Sequence, residues 1–290
     1  MRVRLAYIFS VLVLAAALAG CGSKAASGNL DQTLADGWRA YSLGDFDGAH
    51  ATFAGISENK TATDKQLYSA LLGLAVTAQY QTTPDLDAAL QYYNQLATIN
   101  VEGVGPQSML GIGSVYIDQG KVAEGQDELT RLVQKYPDAE EADEATVQLA
   151  NSLFRPTPDS KAASGYALAS PALVRRGIGL LEARLKARPN NPLAAVMHMI
   201  LGGKLVDEGS YAEAVTHLRA ALDLGVASST FAASMTWQVA RIADEKLHDY
   251  ELAEKYYADF VDKNKNNQLY YLALLRKEQI EKLLAEKPKG

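Results

Sequence analysis

The chain has 290 residues, of which 48% are hydrophobic and 21% are charged, and its formal net charge is −6. This composition belongs to a globular protein long enough for one or two cores or for one extended repeat array, and it excludes a disordered chain. The acidic balance argues against nucleic acid or anionic lipid headgroups as the main partners.

The first twenty residues follow the secretory pattern. Arg2 and Arg4 precede an apolar stretch from Leu5 to Ala19, and small residues follow it. That stretch of 15 residues is shorter than the roughly 20 that a membrane-spanning helix needs. We therefore predict that residues 1–20 are a signal peptide that is removed after export.

The residues that end this segment, "LAGC" from Leu18 to Cys21, resemble the lipobox of bacterial lipoproteins. The resemblance implies that Cys21 becomes an acylated mature N-terminus, and two or more acyl chains anchor a protein stably to a membrane. The alternative is a free or buried thiol behind an ordinary signal peptide. Cys21 is the only cysteine of the sequence, so neither an intrachain disulfide nor a cysteine metal cluster is available.

Gly22 stands where inner-membrane lipoproteins of Gram-negative bacteria tend to have aspartate. The resemblance therefore implies the periplasmic face of the outer membrane, whereas a Gram-positive source would place the protein outside its only membrane. Residues 21–29 are predicted to be the lipidated cysteine and a flexible tether, because their small side chains bury little apolar surface. Loss of Arg2 and Arg4 leaves 26 basic against 34 acidic residues, a charge of −8 that again disfavours nucleic acid.

From residue 30 onward the chain repeats a short pattern, an apolar residue followed three positions later by a small one. The apolar members lie 36 to 52 residues apart, and they are Phe46, Leu86, Val122, Val174, Tyr211 and Tyr250. A small residue also stands within the apolar segment before five of these turns, as Gly37, Gly73, Gly113, Ala150 and Gly202. Because glycine inside a helix costs roughly 1 kcal/mol relative to alanine, Gly202 predicts the close approach of a neighbouring helix.

This pattern resembles the tetratricopeptide repeat (TPR), in which an apolar-glycine pair lies in helix A, glycine precedes the turn and an aromatic residue opens helix B. Residues 195–228 match nearly throughout, and the resemblance spans roughly residues 30–266. It implies an all-α fold, an α-α superhelix: a TPR-like solenoid of about six helical hairpins plus a C-terminal capping helix. The alternative is a compact bundle of unrelated helical hairpins.

The repeats also predict the domain organisation. Residues 30–153 should hold repeats 1 to 3 and helix A of repeat 4, and residues 172–266 helix B of repeat 4 with repeats 5 and 6. Between them, residues 154–171 are predicted to be a long loop, with Pro171 starting the next helix. Loops of that length are often functional or mobile, so this one is either a mobile excursion or a contact for a partner.

Three further expectations concern local irregularities. Thr83 and Pro84 should cap and open helix B of the second repeat. Arg241 takes the glycine position of the sixth repeat, which predicts looser packing there. Residues 267–290 should form a capping helix and tail with a polar outer face, and its apolar face contains Leu269, Leu272, Ala273, Ile280, Leu283 and Leu284.

The sequence contains no recognisable catalytic constellation, and we predict no enzymatic activity, no cofactor and no metal site. Its histidines, His50, His198, His217 and His248, lack the i, i+4 pairing with a helical glutamate that a zinc hydrolase needs. We interpret each as a surface or helix-packing residue. The glycines fall at helix-packing and turn positions, not in a phosphate-binding loop.

What remains is a binding surface. In TPR arrays the inner wall is lined by helix A side chains, and the resemblance carries that role to specific positions. They are Trp38, Tyr41, Ser114, Ile117, Asp118, Asn151, Phe154, Arg155 and Asp207. Aromatic and arginine side chains dominate binding energy at protein interfaces. For Trp38, packing under the N-terminal end of the array is the alternative.

Two functions follow as hypotheses. The first is a noncatalytic, lipid-anchored scaffold that binds an extended peptide or helix of an envelope protein, in the assembly of an outer-membrane or secretion/pilus complex. The alternative is a small-ligand-binding lipoprotein associated with a transporter, which predicts a closed apolar cavity within the array.

Overall fold

The computed structural model describes residues 27–158 and 166–286. The predicted signal peptide, Cys21 and most of the predicted tether lie outside the described residues. Residues 159–165 of the predicted loop and the last four residues lie outside them as well.

Within those ranges the chain forms thirteen α-helices, joined by short turns. In chain order they are α1 (Ser27–Ser42), α2 (Phe46–Ser57), α3 (Asp64–Tyr80), α4 (Leu86–Leu96), α5 (Val104–Asp118), α6 (Val122–Lys135), α7 (Glu140–Phe154), α8 (Pro171–Ala187), α9 (Ala194–Glu208), α10 (Tyr211–Leu224), α11 (Ser229–Ile242), α12 (Tyr250–Lys263) and α13 (Tyr270–Glu286). α1 begins at Ser27, so the last three residues of the predicted tether are helical. No described helix is both long enough and apolar enough to cross a membrane.

Consecutive helices form the predicted hairpins, with odd-numbered helices as helix A and even-numbered ones as helix B. Five of the six apolar repeat residues are the first residue of a helix B, namely Phe46, Leu86, Val122, Tyr211 and Tyr250. Two positions earlier, Gly44, Gly120 and Gly209 have φ between +81° and +82°, a left-handed conformation that only glycine adopts without steric cost. The repeat pattern therefore predicted the start of helix B and the position of the turn glycine, and the structure adds the left-handed conformation of that glycine.

Aspartate side chains fix the starts of three B helices. Asp45, Asp85 and Asp249 each accept a hydrogen bond from the backbone N–H three residues ahead, at 2.9 to 3.0 Å. Such a cap is worth about 1 kcal/mol because it satisfies a donor that the helix leaves free. The prediction that Thr83 caps and Pro84 opens α4 is wrong, since α4 begins at Leu86 and Asp85 is its cap.

Large side chains of helix B fill the space that the helix A glycines leave. A Cβ added to Gly202 would lie 2.6 Å from Cγ of Leu218, and one added to Gly113 would lie 2.7 Å from Cγ of Leu129. Phe53 occupies the same repeat position and lies against both Gly37 and Gly73. These side chains are fully buried, which stabilises each hairpin by roughly 1.5 to 3 kcal/mol per side chain. The prediction that Gly202 is small because a neighbouring helix lies against it is confirmed.

The chain divides into two compact units, Met1–Ala145 and Thr146–Gly290, with the boundary inside α7. The core of the first unit is centred on α2, α3 and α4 and contains Phe53, Leu74 and Tyr93. In the second unit one cluster joins α7, α8, α9 and α10. A further cluster joins α10 to α13 and contains Tyr257 and Phe260.

The sixth hairpin corrects the prediction for Arg241. α11 continues into a π-helical turn, Ala243–Leu247, which adds one residue before α12. The helix A packing position is therefore taken by Ala240, which is completely buried, whereas Arg241 is exposed and pairs with Glu245 at 2.7 Å. The prediction counted back from Tyr250 by the spacing found in other repeats. Because the sixth hairpin has one extra residue, that count reached Arg241 instead of Ala240. His248, with φ +52°, takes the left-handed turn position that glycine occupies elsewhere.

The predicted loop between residues 154 and 171 contains a short strand pair. β1 (Thr157–Pro158) and β2 (Tyr166–Ala167) are antiparallel, with Thr157 opposite Ala167. Ser170 then caps α8 through its side chain and Pro171 is the first helical residue, as predicted.

The terminal helix α13 is buried through Ala273 and Ile280, both completely, with Leu269 and Leu284 packed at the edge of the same cluster. The prediction for its other two leucines is wrong, since Leu272 is 52% and Leu283 is 42% exposed. Helical rotation places both of them about a quarter of a turn around the helix from Ala273, at the flank of the buried face. The outer face is therefore partly apolar.

Candidate partner-binding surface

The predicted wall residues fall into two groups that lie in different units. Trp38, Tyr41, Ser114, Ile117 and Asp118 belong to the first unit. Asn151, Phe154, Arg155 and Asp207 belong to the second.

Trp38 and Tyr41 pack on the face of α1 that meets α2 and α3. The indole Nε1 of Trp38 donates a hydrogen bond to Ser69 Oγ at 3.0 Å, and its ring centroid lies 5.0 Å from that of Phe53. Burial raises the pKa of Tyr41 to about 12. Both side chains are half-buried at the edge of the core, so the packing interpretation of Trp38 fits the structure.

Ser114 and Ile117 do not lie on an open surface. Ser114 is 4% and Ile117 is 7% exposed. The backbone of Gly125 on α6 approaches α5 so closely that a Cβ there would lie 2.6 Å from Cγ1 of Ile117. The prediction that these two side chains line an accessible wall is therefore wrong, because the close contact of α5 with α6 buries Ile117 and a polar contact with α3 buries Ser114.

Gln79 of α3 joins the polar side chains of the first unit. Its Nε2 donates to Ser114 Oγ at 3.1 Å and to Asp118 Oδ2 at 3.0 Å, while its Oε1 accepts from Tyr93 O–H at 3.2 Å. Asp118 is exposed and remains accessible. Sequence reasoning missed Gln79, although an amide inside the otherwise apolar run of α3 indicates a buried hydrogen-bonded position.

In the second unit, contacts with Lys204 bring Phe154 and Asp207 to one surface. Phe154, the last residue of α7, packs over Gly177 of α8. Lys204 of α9 places its Nζ 5.3 Å from the centroid of the Phe154 ring and 3.3 Å from Asp207 Oδ2. Asn151 and Arg155 are exposed and flank Phe154 in the sequence. We call Asn151, Phe154, Arg155, Lys204 and Asp207 the α7–α9 patch.

The contacts of the α7–α9 patch contribute little to folding stability and are better suited to binding a partner. A cation near an aromatic face stabilises a protein by about 0.5 to 1 kcal/mol at an exposed site. An exposed ion pair such as Lys204–Asp207 makes a similarly small contribution to stability. The two contacts nevertheless hold the Lys204 ammonium in one place. A partner therefore meets the Phe154 ring, the Lys204 ammonium and the Asp207 carboxylate already in contact, with the exposed Arg155 next to Phe154 in the sequence. Sequence reasoning missed Lys204, whose position three residues before Asp207 was the available signal.

Among the described residues, no group of three or more His, Cys, Asp or Glu side chains is placed to hold a metal ion. A depression of about 260 Å³ lies between α2, α3 and α4 and is lined by Asp47, His50, Gln81, Asp85 and Tyr92, together with two alanines. It is open to solvent and mostly polar, unlike the closed apolar cavity that a small-ligand carrier predicts.

Comparison of the sequence with protein-family models and with curated proteins gives no match. The structure is similar to that of PilF from Pseudomonas aeruginosa, with a TM-score of 0.55 and 15% identity over 90% of this chain and 99% of that one. Two TPR proteins also match, at lower TM-scores: TTC0263 of Thermus thermophilus at 0.43, with 17% identity over 72% of this chain and 99% of that one, and YrrB at 0.45, with 15% identity over 78% and 97%. The chain has the tetratricopeptide-repeat fold.

The TPR fold accounts for where the candidate residues lie. Helix A side chains that face helix B, such as Ile117, become buried at the close contacts of the hairpin. Side chains near the end of helix A and just after it, such as Asp118, Arg155 and Asp207, remain exposed. The accessible part of the predicted wall is therefore concentrated at the carboxyl ends of α5, α7 and α9.

Proposed function

We propose that this TPR chain is a noncatalytic scaffold, held at the periplasmic face of the outer membrane by lipid on Cys21, that binds an extended segment or helix of an envelope protein. The process would be the assembly of an outer-membrane or secretion/pilus complex. The observation that carries the proposal is the α7–α9 patch, in which exposed Arg155 and Asp207 flank the ordered contact of Lys204 with Phe154.

The chemistry of the patch defines the kind of segment that it fits. Arg155 and Lys204 favour an acidic or carbonyl-rich stretch, because guanidinium and ammonium groups form charge-assisted hydrogen bonds with such oxygens. The exposed edge of Phe154 favours an apolar side chain next to it. Asp207 adds a position for a basic or amide side chain.

The fold likeness to PilF supports the same proposal, because it extends over almost the whole of both chains. The lipobox-like "LAGC" supports attachment to a membrane. The small-ligand alternative receives no such support, since the depression between α2, α3 and α4 is open and polar.

Photocrosslinking in cells tests the binding surface. A photoreactive amino acid at Arg155 or at Asp207 should capture the same envelope protein, and Arg155→Glu should reduce capture from position 207 because it reverses the charge of the patch. Arg219 on α10 is also exposed and provides the matched control position. Equal capture from position 219, or no capture from 155 and 207, would contradict the proposal.

Replacement of Cys21 by Ala tests the anchor. We expect the variant to move from the membrane fraction to the soluble fraction of the envelope, because both the acylation site and the acyl chains are lost. Gly22→Ala, which keeps the thiol, should remain in the membrane fraction. Membrane attachment of the Cys21→Ala protein at the level of the unmodified chain would contradict lipid anchoring through this residue.

A further inference from the structure

Two histidines face each other across the fifth hairpin. His198 of α9 and His217 of α10 place their Nδ1 atoms 2.9 Å apart, with ring centroids at 5.0 Å and ring planes at 39°. Both side chains are half-buried. Gly202 lies one helical turn after His198, and Leu218 is the residue after His217. The contact between Gly202 and Leu218 holds the two helices at this separation.

The surroundings favour the neutral form of both rings, which is the form that binds metal ions. Burial lowers the pKa of His198, and the neighbouring His217 lowers it further. Burial also lowers the pKa of His217, although the negative charge of Glu213 opposes this shift. Two facing Nδ1 atoms share only one proton between them, so the second nitrogen presents a lone pair to the same space.

We propose that His198 and His217 bind one late first-row divalent metal ion, Cu²⁺ first and Ni²⁺ next, through their Nδ1 atoms, with water at the remaining positions. The ion takes the place of the shared proton, which moves to Nε2 of the ring that carried it, so that both rings stay neutral and rotate slightly to direct their Nδ1 lone pairs at the ion. Glu213, one turn before His217 on α10, contributes negative charge that favours a bound cation. This site is separate from the α7–α9 patch and does not depend on the proposed scaffold function.

The separation of the two nitrogens decides which ions fit. Ligands about 2.05 Å from a metal lie about 2.9 Å apart when they subtend a right angle, and about 3.3 Å apart at the tetrahedral angle. The observed 2.9 Å, which is also the length of an N–H···N hydrogen bond, is compatible with neighbouring positions of a square-planar or octahedral ion, the geometries of Cu²⁺ and Ni²⁺. Zn²⁺, which prefers tetrahedral sites, fits less well.

The sequence did not predict this site because its two ligands come from different helices. They are 19 residues apart, so the i, i+4 spacing that reveals metal pairs on a single helix is absent. Only the antiparallel pairing of α9 with α10 brings them together.

Titration of the full chain with CuCl₂ tests the proposal, with Cys21→Ser in every sample so that no thiol competes for copper. We expect one Cu²⁺ per chain by calorimetry and an electron paramagnetic resonance spectrum with couplings from two imidazole nitrogens. His198→Asn and His217→Asn should each weaken binding at least about tenfold, since even the outer-shell partner of a metal ligand is typically worth that much.

Two variants serve as controls. His50→Asn and His248→Asn remove imidazoles away from the pair, and asparagine tolerates the positive φ of residue 248. Both should bind Cu²⁺ as the unmodified chain does. Cu²⁺ affinity that is the same in all four variants, a spectrum without coupling from two imidazoles, or Zn²⁺ binding as tight as Cu²⁺ would each overturn the proposal. The spectrum of the unmodified pair gives this answer even if a variant fails to fold.

Discussion

The fifth and sixth hairpins, α9–α10 and α11–α12, reach the same packing by different means. In the fifth, Gly202 precedes Tyr211 by nine residues and Gly209 takes the left-handed turn position. In the sixth, ten residues separate Ala240 from Tyr250, and the π-helical turn absorbs the extra one. A TPR hairpin thus tolerates an insertion when the turn residue and the small packing residue both keep their places.

The insertion also ties the irregular hairpin to the terminal helix. Asp244 lies in the π-helical turn, is 3% exposed and accepts hydrogen bonds from Nε and Nη2 of Arg276 on α13, each at 2.6 Å. Tyr257 donates a longer bond of 3.4 Å to the same carboxylate. The fifth hairpin has no carboxylate at the corresponding positions, which are Leu205 or Val206 depending on the end from which the residues are counted. The sixth hairpin should therefore depend on α13 in a way that the fifth does not.

The largest expected effect is that of Asp244→Asn, which leaves the Arg276 guanidinium without its carboxylate. Loss of one partner of a buried ion pair costs about 3 to 5 kcal/mol, and we expect the lower end because Arg276 is partly exposed. The measurement is urea denaturation followed by tryptophan fluorescence in a Trp38→Phe background. Trp237 is then the only tryptophan and reports on the second unit.

Glu245→Gln is the matched control for that measurement. Glu245 lies in the same π-helical turn as Asp244 and forms an exposed pair with Arg241. Loss of this pair should lower the free energy of unfolding by less than about 1 kcal/mol. Equal losses for Asp244→Asn and Glu245→Gln would show that the buried pair does not fasten α13 to the sixth hairpin.

The next effect in size concerns the small packing residue of the fifth hairpin. Gly202→Ala should lower the free energy of unfolding by about 2 kcal/mol, because the added methyl meets Leu218 and overpacking outweighs the better helix propensity of alanine. Gly203→Ala provides the control, since a Cβ there meets no atom within 4 Å, and it should raise stability by up to about 1 kcal/mol. If both variants were stabilised alike, Gly202 would not mark a close contact.

The same comparison shows how far sequence reasoning reaches. The starts of five B helices and the turn glycines were predictable because the repeat alignment and its resemblance to the TPR pattern mark the same positions in each hairpin, and the role of Gly202 was predictable from helix propensity. The position of Arg241 was not, since a fixed repeat spacing cannot anticipate a π-helical turn. Leu272 and Leu283 of α13 were assigned to the wrong face for a related reason. A helix whose apolar residues extend around much of its circumference does not reveal which of them meet the core.

The candidate site was less predictable than the fold. Repeat alignment identified the carboxyl ends of helix A, and there Asp118, Arg155 and Asp207 are accessible. It did not separate them from Ser114 and Ile117, whose burial depends on tertiary contacts of α5 with α3 and α6. The contact of Lys204 with Phe154 and the pairing of His198 with His217 also join residues of different helices. Such pairs require the arrangement of the helices, which one sequence gives only in outline.

The smallest expected effect isolates the left-handed turn position itself. His248 has φ +52° where Gly209 has φ +81°, and a residue with a Cβ pays about 1 kcal/mol in that region. His248→Gly should therefore stabilise the second unit, by only about 0.5 kcal/mol because glycine loses more conformational entropy on folding. Gly209→Ala should destabilise it by about 1 kcal/mol, as measured by the same Trp237 fluorescence. If His248→Gly instead destabilised the second unit, contacts of the imidazole would stabilise the sixth turn more than the backbone conformation does. Residues 209 and 248 would then not be equivalent turn positions.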